Sequence, residues 1–465
     1  MTAGRPRTAG RPRFELDEGT RQLRRGTVLI GGSPLRVVRL SPSGAAVLAA
    51  GLRGIEVPGP QAEALLERLV DGGLIHDRPE PSVEAGRRAT VVIPARDEGR
   101  RIGSLVGALR AEVAEVIVVD DGSDDDTREA ATGAGATVIA HDSPRGPAAA
   151  RNTGLRVVET ELVMMLDADC LPPGPGRLDR LAAVIETGGA SLVAPRVVGA
   201  AVGEGRWGRV VSGYEAGSGP LDMGSRPSPV GPGRRVCFLP SAAMLARTDD
   251  LVAVGGFDEE LRYGEDVDLV IRLDRAGKRC RYEPAVTVEH LPRTGPLGFL
   301  EQRFRYGGSA VDLDRRHPGA VAPARGTRLG LAAALSVPFI GPLAVTALGL
   351  RSGRRLAADG RFAPRQAVAV TLGAQLEGVA GIGRLLAREW LPLTVLLLTR
   401  RRLRRLALLP LAALLADELP GRRPALKVGL GLLARASYAA GLWSRAVETR
   451  RFGALLPRFG SGRRP

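Results

Sequence analysis

The sequence predicts an α/β protein centred on a mostly parallel sheet, with a small winged-helix module before it and an apolar helical tail after it. Three observations predict this. Short apolar runs alternate with helix-like stretches from residue 89 onward, the pattern of βαβ units. Carboxylates follow several of those runs, which in an open sheet places them along the carboxyl edge, where ligands bind. Charge is unevenly divided: Lys+Arg minus Asp+Glu is +4 for residues 1–89, −6 for 90–322 and +18 for 323–465, within a formal net charge of +16.

These balances bound the function. A mildly acidic centre argues against a nucleic-acid partner, which would leave a basic footprint on a folded domain. Arginines interleaved with apolar helices in the tail point instead to an anionic membrane surface. Cys170, Cys237 and Cys280 are few, odd in number and far apart, so the chain reads as one without a disulfide framework, from a reducing compartment. The opening MTAGRPRTAGRPR repeats TAGRPR and has no apolar core, so residues 1–13 are expected to be a disordered basic leader rather than a signal peptide.

Residues 14–80 carry their own pattern. Two β-rich runs in RRGTVLIGGSPLRVVRL flank a Gly-Gly-Ser-Pro turn, which predicts a hairpin. Ser41 or Ser43 then offers an N-cap for a helix over SPSGAAVLAAGL. A second helix is expected over Gln61–Val70, followed by the extended segment Leu74–His76, with His76 structural. Residues 81–88 read as a linker.

The central region, 89–322, opens with the buried strand ATVVIPA and a helix from about Gly99 to Val113. EVIVVDD is the second strand, TVIAH the third and ELVMMLDAD the fourth, with helices between them. Asp97 and Glu98 follow the first strand, Asp120 and Asp121 end the second, and Asp167 and Asp169 end the fourth. Carboxylates so placed can accept hydrogen bonds from a nucleoside or hold Mg²⁺ or Mn²⁺ for a diphosphate. The acids Asp124–Asp126 are better read as a helix N-cap. The Gly-, Ser- and Pro-rich stretch Glu204–Pro232 reads as a mobile loop, in which Trp207 and Tyr214 either stack on a ligand or pack. CFLPSAAMLAR reads as a strand pair. In GGFDEELRYGEDVDLVIRL, Glu265 and Asp266 open a helix whose apolar face anchors them, and as an acidic helix start they could also serve only the helix dipole. His290 ends a later strand and is either a metal ligand or a structural histidine.

Taken in order, VVIPARDEG, VIVVDDGSDDDT, GPAAARNTGL, LDADCLPPG and the later GED resemble the family 2 glycosyltransferases of the GT-A fold, over roughly residues 89–310. The resemblance implies a nucleotide-sugar donor and an inverting transfer. It implies that Pro94, Arg96, Asp97, Glu98 and Asp120 or Asp121 lie at the nucleoside, that Arg151 lies near the donor, and that Asp167 and Asp169 bind the metal–diphosphate. Asp266 is implied as the base, with Glu265 orienting it. Gln302, Arg305 and Tyr306 resemble the Q-x-x-R-W motif of processive members, but Tyr306 stands where Trp is usual. Residues 14–80 resemble the PqqD-like modules, through LSPSGAAVL and LVDGGLI, which implies a peptide partner there.

The tail, 323–465, contains 22 uncharged residues, Leu329–Leu350, enough to cross a bilayer with kinks at Pro338 and Pro342. Gln366–Ala387 is a weaker second span because it contains Glu377 and Arg384. Leu391–Thr399 and Leu403–Ala416 are shorter and fit helices lying in a membrane interface. Module, catalytic region and tail together resemble the glycosyltransferases of mycofactocin systems. That implies UDP-glucose as donor, a peptide-derived acceptor that is oligoglycosylated, and a place at the cell membrane with the catalytic domain cytoplasmic. A membrane polysaccharide or glycolipid synthase is the alternative enzyme reading. A non-catalytic peptide-binding scaffold is the alternative of another class, against which the intact acids Asp167, Asp169 and Asp266 count.

Overall fold

The computed structural model describes residues 13–80, 85–200, 202, 205–291, 295–326, 328–340, 343–358, 364–418 and 424–459. Most of the expected leader and the first half of the expected linker lie outside these residues; Ala85–Arg88 form a 3₁₀ turn. The chain divides into two compact units, residues 1–203 with 215–292, and residues 204–214 with 293–465.

The first unit opens with the small module. Strand β1 (Phe14–Leu16) pairs antiparallel with β5 (Ile75–Asp77), and β2 (Arg21–Leu23), β3 (Val28–Gly31) and β4 (Arg36–Arg39) form a three-stranded antiparallel sheet. Helix α1 (Pro42–Gly51) starts at Ser41, whose Oγ accepts the Gly44 N–H at 3.0 Å, with Pro42 preset for the first turn. Helix α2 (Pro60–Asp71) buries Leu66, Leu69 and Val70 against Leu29, Leu48, Leu74 and Ile75, so the module has a core of its own. It is also tied to the rest of the unit. Asp71 takes Arg281 and, at 3.3 Å, Arg279, while its carbonyl accepts Arg234 at 2.6 Å. Arg235 donates its N–H to Ser33 Oγ at 2.6 Å, and its guanidinium lies 3.3 Å from buried Asp17, which also takes His76 Nε2 at 2.8 Å.

The central sheet follows. Its elements are β6 (Ala89–Ala95), α3 (Gly99–Leu109), β7 (Glu115–Asp120), α4 (Thr127–Gly133), β8 (Thr137–Ala140), α5 (Pro147–Leu155), β9 (Leu162–Leu166), α6 (Arg177–Glu186) and β10 (Leu192–Gly199). Then come α7 (Gly205–Ser218), β11 (Ser228–Val230), β12 (Ala243–Arg247), α8 (Thr248–Ala253), α9 (Glu265–Arg275) and β13 (Cys280–His290). The strand order is β11-β13-β10-β12-β9-β6-β7-β8. Pairs β6–β7, β6–β9, β7–β8 and β10–β13 are parallel, whereas β12 runs against both neighbours. The apolar runs of β6, β7 and β9 are buried on both faces, as parallel strands under two helical layers must be. Val91, Ile93, Val118 and Met164 pack on one face, and Val92, Ile117, Val119 and Met165 on the other.

Two expectations need correction. The stretch expected as a mobile loop forms α7 and β11, because Val211 and Tyr214, one turn apart, bury against Phe299, Leu430 and Ala434; tertiary packing outweighs the glycine content. The segment expected as a strand pair yields one strand, β12, since Pro240 has no N–H to give a ladder.

The second unit is helical: the start of α7, then α10 (Pro296–Arg316), α11 (Arg328–Ile340), α12 (Leu343–Ala358), α13 (Pro364–Ala387), α14 (Leu391–Leu398), α15 (Leu408–Glu418) and α16 (Pro424–Thr449). Helix α10 lies against α16 at a crossing of glycines, where a Cβ on Gly441 would stand 1.8 Å from Phe304 O and one on Gly307 2.0 Å from Tyr438 O. The expected membrane spans are also corrected. Leu329–Leu350 is shared between α11 and α12, and α12 continues into Arg351, Arg354 and Arg355. Gln366–Ala387 lies in α13, which is tied to α12 where Thr371 Oγ donates to Gly349 O at 2.6 Å. Among the described residues no helix is long and apolar enough to cross a membrane.

Candidate active site

Strand β9 ends in a turn that aims the two acids. Asp167 donates its N–H to Ala242 O at 2.9 Å, and Cys170 N–H returns to Asp167 O at 3.0 Å. The chain then pairs briefly with the end of β13, through Leu171 N–H to Glu289 O and Leu291 N–H to Asp169 O, both at 2.8 Å. That pairing brings His290 Nε2 to 3.2 Å from Asp169 Oδ1.

Asp167 faces a different neighbour. Its Oδ1 accepts Arg151 Nη2 at 2.6 Å, and Arg151 Nη1 donates to Glu265 Oε1 at 2.9 Å. Arg151, on α5, is only 2% exposed, and its guanidinium lies over the Phe257 ring at 5.4 Å. Asn152 fixes that ring by gripping the Phe257 main chain, donating to its carbonyl and accepting its N–H, each at 2.8 Å. Only glycine fits beside the clamp: Gly256 has φ +67, and a Cβ there would stand 2.4 Å from Asn152 Oδ1. One buried cation therefore ties the end of β9 to the start of α9.

At that start Gly264, with φ +84, turns the chain so that Glu265 and Asp266 occupy the first helical turn. Ser241 Oγ donates to Glu265 Oε1 at 3.3 Å, its N–H reaches Asp266 Oδ2 at 3.4 Å, and Val267 N–H donates to Asp266 Oδ1 at 2.8 Å. Burial, and then repulsion from Glu265, push the Asp266 carboxyl up to about 7, with Arg151 and the two N–H groups only partly offsetting them. Asp167 is also raised, by burial and the charge of Asp169, against the pull of Arg151. Burial opposes the charge on His290, but its bond to Asp169 and the two nearby carboxylates raise it overall. Glu98 is raised by burial, and the charge of Asp169 adds to it against Arg101, so Glu98 lies within the field of the β9 acids. Burial, then Asp167 and Asp169, push the Cys170 thiol well up; its Sγ donates to Ala242 O at 3.3 Å, as a buried small residue rather than a ligand.

The acids at the first two strand ends are used largely by the chain itself. Asp97, with φ +56, accepts Asp124 N–H at 3.0 Å and pairs with Arg96 at 3.6 Å, while Glu98 pairs with Arg101 at 3.1 Å. Pro94 lies in β6 beside Val119. Asp120 is fully buried, paired with Arg128 and accepting Ser123 N–H at 3.2 Å. Asp121 accepts His141 Nδ1 at 2.7 Å, Arg145 N–H at 2.8 Å and Gly146 N–H at 2.7 Å. In the expected N-cap run the capping side chain is Asp125, which accepts Gly99 N–H and Thr127 N–H, both at 3.0 Å. Gln302, Arg305, Tyr306 and Trp207 belong to the second unit: Gln302 donates to Tyr306 Oη at 3.0 Å, Arg305 pairs with Glu301, and Trp207 is exposed on α7. Tyr214 packs edge-on against Phe299 at 5.8 Å, so of its two expected roles the structure gives it packing. Sequence reasoning missed Ser241, His141 and the Asn152–Phe257 clamp; the paired glycines of GGFDEE were the available sign of a close approach.

Asp169 and His290 stand 3.2 Å apart, with Asp167 two residues before Asp169 on the same turn, and carboxylate oxygens of this kind suit Mn²⁺ or Mg²⁺. Among the described residues no group of three or more His, Cys, Asp or Glu side chains is placed to hold a metal ion, and Asp167 is paired with Arg151.

The family model described as "Glycosyl transferase family 2" matches residues 90–238. The chain is 36% identical to the "Pre-mycofactocin glycosyltransferase" of Mycobacterium tuberculosis, over 95% of this chain and 97% of that one. It is 27% identical to the succinoglycan biosynthesis protein ExoA of Rhizobium meliloti, over 60% of this chain and 89% of that one. Among solved structures, a mannosyltransferase from Pyrobaculum calidifontis in complex with GDP-Man and Mn²⁺ aligns with a TM-score of 0.43 and 19% identity, over 79% of this chain and 90% of that one.

Proposed function

Because this chain belongs to the pre-mycofactocin glycosyltransferases of family 2, with a GT-A α/β fold, we propose that it transfers a hexose, glucose from UDP-glucose, to an acceptor hydroxyl with inversion at the anomeric carbon. The observation that carries this reading is the Arg151 bridge, which holds a diphosphate-side acid, Asp167, and the acid pair of the base, Glu265–Asp266, about one guanidinium at 2.6 and 2.9 Å.

The chemistry follows from the two ends of that bridge. Asp266, as carboxylate, takes the acceptor hydroxyl's proton while the hydroxyl oxygen attacks the anomeric carbon from the face opposite the diphosphate. The carbon–oxygen bond to the diphosphate breaks, UDP leaves with the electron pair, and the proton stays on Asp266. Mn²⁺ or Mg²⁺ held by Asp169, His290 and Asp167 would supply positive charge to the departing diphosphate. Arg151 and Ser241 keep Glu265 oriented beside the base. The nucleoside is assigned to the first strand end, Pro94, Arg96, Asp97 and Glu98, on a floor braced by Asp120 and Asp121.

The acceptor is the mycofactocin precursor, a reading supported by the name of the M. tuberculosis relative and its 97% coverage; it is a peptide-derived small molecule that the enzyme glycosylates repeatedly. The small N-terminal module is PqqD-like and offers a place for a peptide, a reading supported by its three-stranded antiparallel sheet and two helices. The enzyme works at the cell membrane, with its catalytic domain cytoplasmic. The test is transfer by the purified full chain from UDP-glucose to premycofactocin, followed by UDP release and product mass. Release that depends on Mn²⁺ or Mg²⁺, is abolished by EDTA and accompanies hexose addition is expected; release insensitive to EDTA, or no hexose on the acceptor, would overturn the reading.

A further inference from the structure

Helix α14, LPLTVLLL, is apolar and faces outward from the second unit. Thr394 is its buried side chain, and the Thr394 hydroxyl donates to Leu386 O at 2.8 Å, which pins one side of the helix. At roughly 100° per residue, Pro392, Leu393, Val395 and Leu396 fall on the other side. Val395 is 56% and Leu396 61% exposed. A helix face turned to water is ordinarily polar; this one is not.

The chain then enters a run of arginines. Arg404 Nε donates to Leu398 O at 2.8 Å and folds the turn back against the end of α14. Arg400, Arg401, Arg402 and Arg405 are exposed and have no ion-pair partner among the described residues. Helix α15 follows at once with exposed Leu408 and Leu411. Apolar side chains thus alternate along the chain with unneutralised guanidinium groups. That pattern complements an anionic bilayer surface, whose acyl boundary takes the apolar groups and whose phosphates take the cations.

We propose that α14 and the arginine turn Arg400–Arg405 are a membrane-docking surface, with Leu393, Val395 and Leu396 entering the headgroup region of an anionic bilayer while the arginines pair with lipid phosphates. This rests on the membrane location proposed for the enzyme and is independent of the transfer chemistry. The surface needs no spanning helix, in keeping with the helices described.

The experiment is co-sedimentation of the purified full chain with vesicles of phosphatidylglycerol and phosphatidylcholine, and with phosphatidylcholine alone. The wild type is expected to partition onto the anionic vesicles, less so at high salt. Two variants, L393S/V395S/L396S and R400Q/R401Q/R402Q/R405Q, should each lower that partition by at least about tenfold. UDP-glucose turnover in detergent-free buffer should be unchanged in both, which shows that they fold. Wild-type protein that stays in solution with anionic vesicles overturns the membrane location itself. Variants that sediment as well as the wild type leave that location standing and overturn this surface. A dimer in solution lost in the L393S/V395S/L396S variant, without vesicle binding, makes the patch a self-association face and also overturns the proposal.

Discussion

Among the adjacent carboxylates of the first unit, the pairs Asp120–Asp121 and Glu265–Asp266 are treated oppositely by the fold. Asp121 is buried yet its carboxyl is held below the ordinary range: burial opposes the charge, but Arg145 N–H, the His141 ring and Gly146 N–H together outweigh it. Asp266 receives two N–H groups, at 2.8 and 3.4 Å, sits beside a like charge and is pushed up to about 7. The difference lies in the burial and the like charge of Glu265 that raise Asp266, and in the three donors that lower Asp121. In the proposed mechanism Asp121, saturated with donors, is a brace, and Asp266, left short of them, is the base that releases and takes a proton near neutrality.

The comparison can be broken at three places. Asp266→Asn should cause the largest effect, a fall in kcat of about 10²–10⁴-fold with UDP binding by calorimetry unchanged. Thermal stability at pH 8 should not fall in that variant, because the amide lacks the charge that burial disfavours. Arg151→Met should come next: with Asp167 and Glu265 left without their shared cation, urea unfolding is expected to show a loss of about 3–5 kcal/mol. In the protein that remains folded, the acid limb of the pH profile should move upward, since Arg151 is one of the groups that hold Asp266 down.

Asp121→Asn should cost least, about 1–3 kcal/mol, because an amide cannot accept all three donors. Its pH signature has a defined sign. The folded carboxyl is lowered, so its stabilisation is fully present above the ordinary carboxylate value of about 4 and fades as pH falls through the lower folded value. Melting temperatures of wild type and variant should therefore differ at pH 7 and converge in strong acid, with the midpoint of the pH–rate profile the same in both.

Much of this could be read along the chain. The apolar runs of β6, β7 and β9 and the acids that end them are local patterns, and each lies where alternation and turn residues imply. The antiparallel insertion of β12 between β9 and β10 is not local: nothing in AMLAR states which strands it will separate. The role of Arg151 was hidden for the same reason, since its partners lie 16 and 114 positions further on. The uncharged stretch Leu329–Leu350 misled because hydropathy summed along a chain does not register where one helix stops and the next begins. Which of Asp120 and Asp121 faces a ligand also stayed open, because donors such as Gly146 N–H come from segments that only the tertiary fold brings close.

The most direct measurement is the pH dependence of kcat at saturating donor and acceptor. With Asp266 as the base, turnover should be low in acid, rise with a midpoint near the value of about 7 set by burial and Glu265, and level off above it. A kcat flat from about pH 5.5 to 8, or a midpoint near the ordinary carboxylate value of about 4, would mean that Asp266 is not the group that takes the proton.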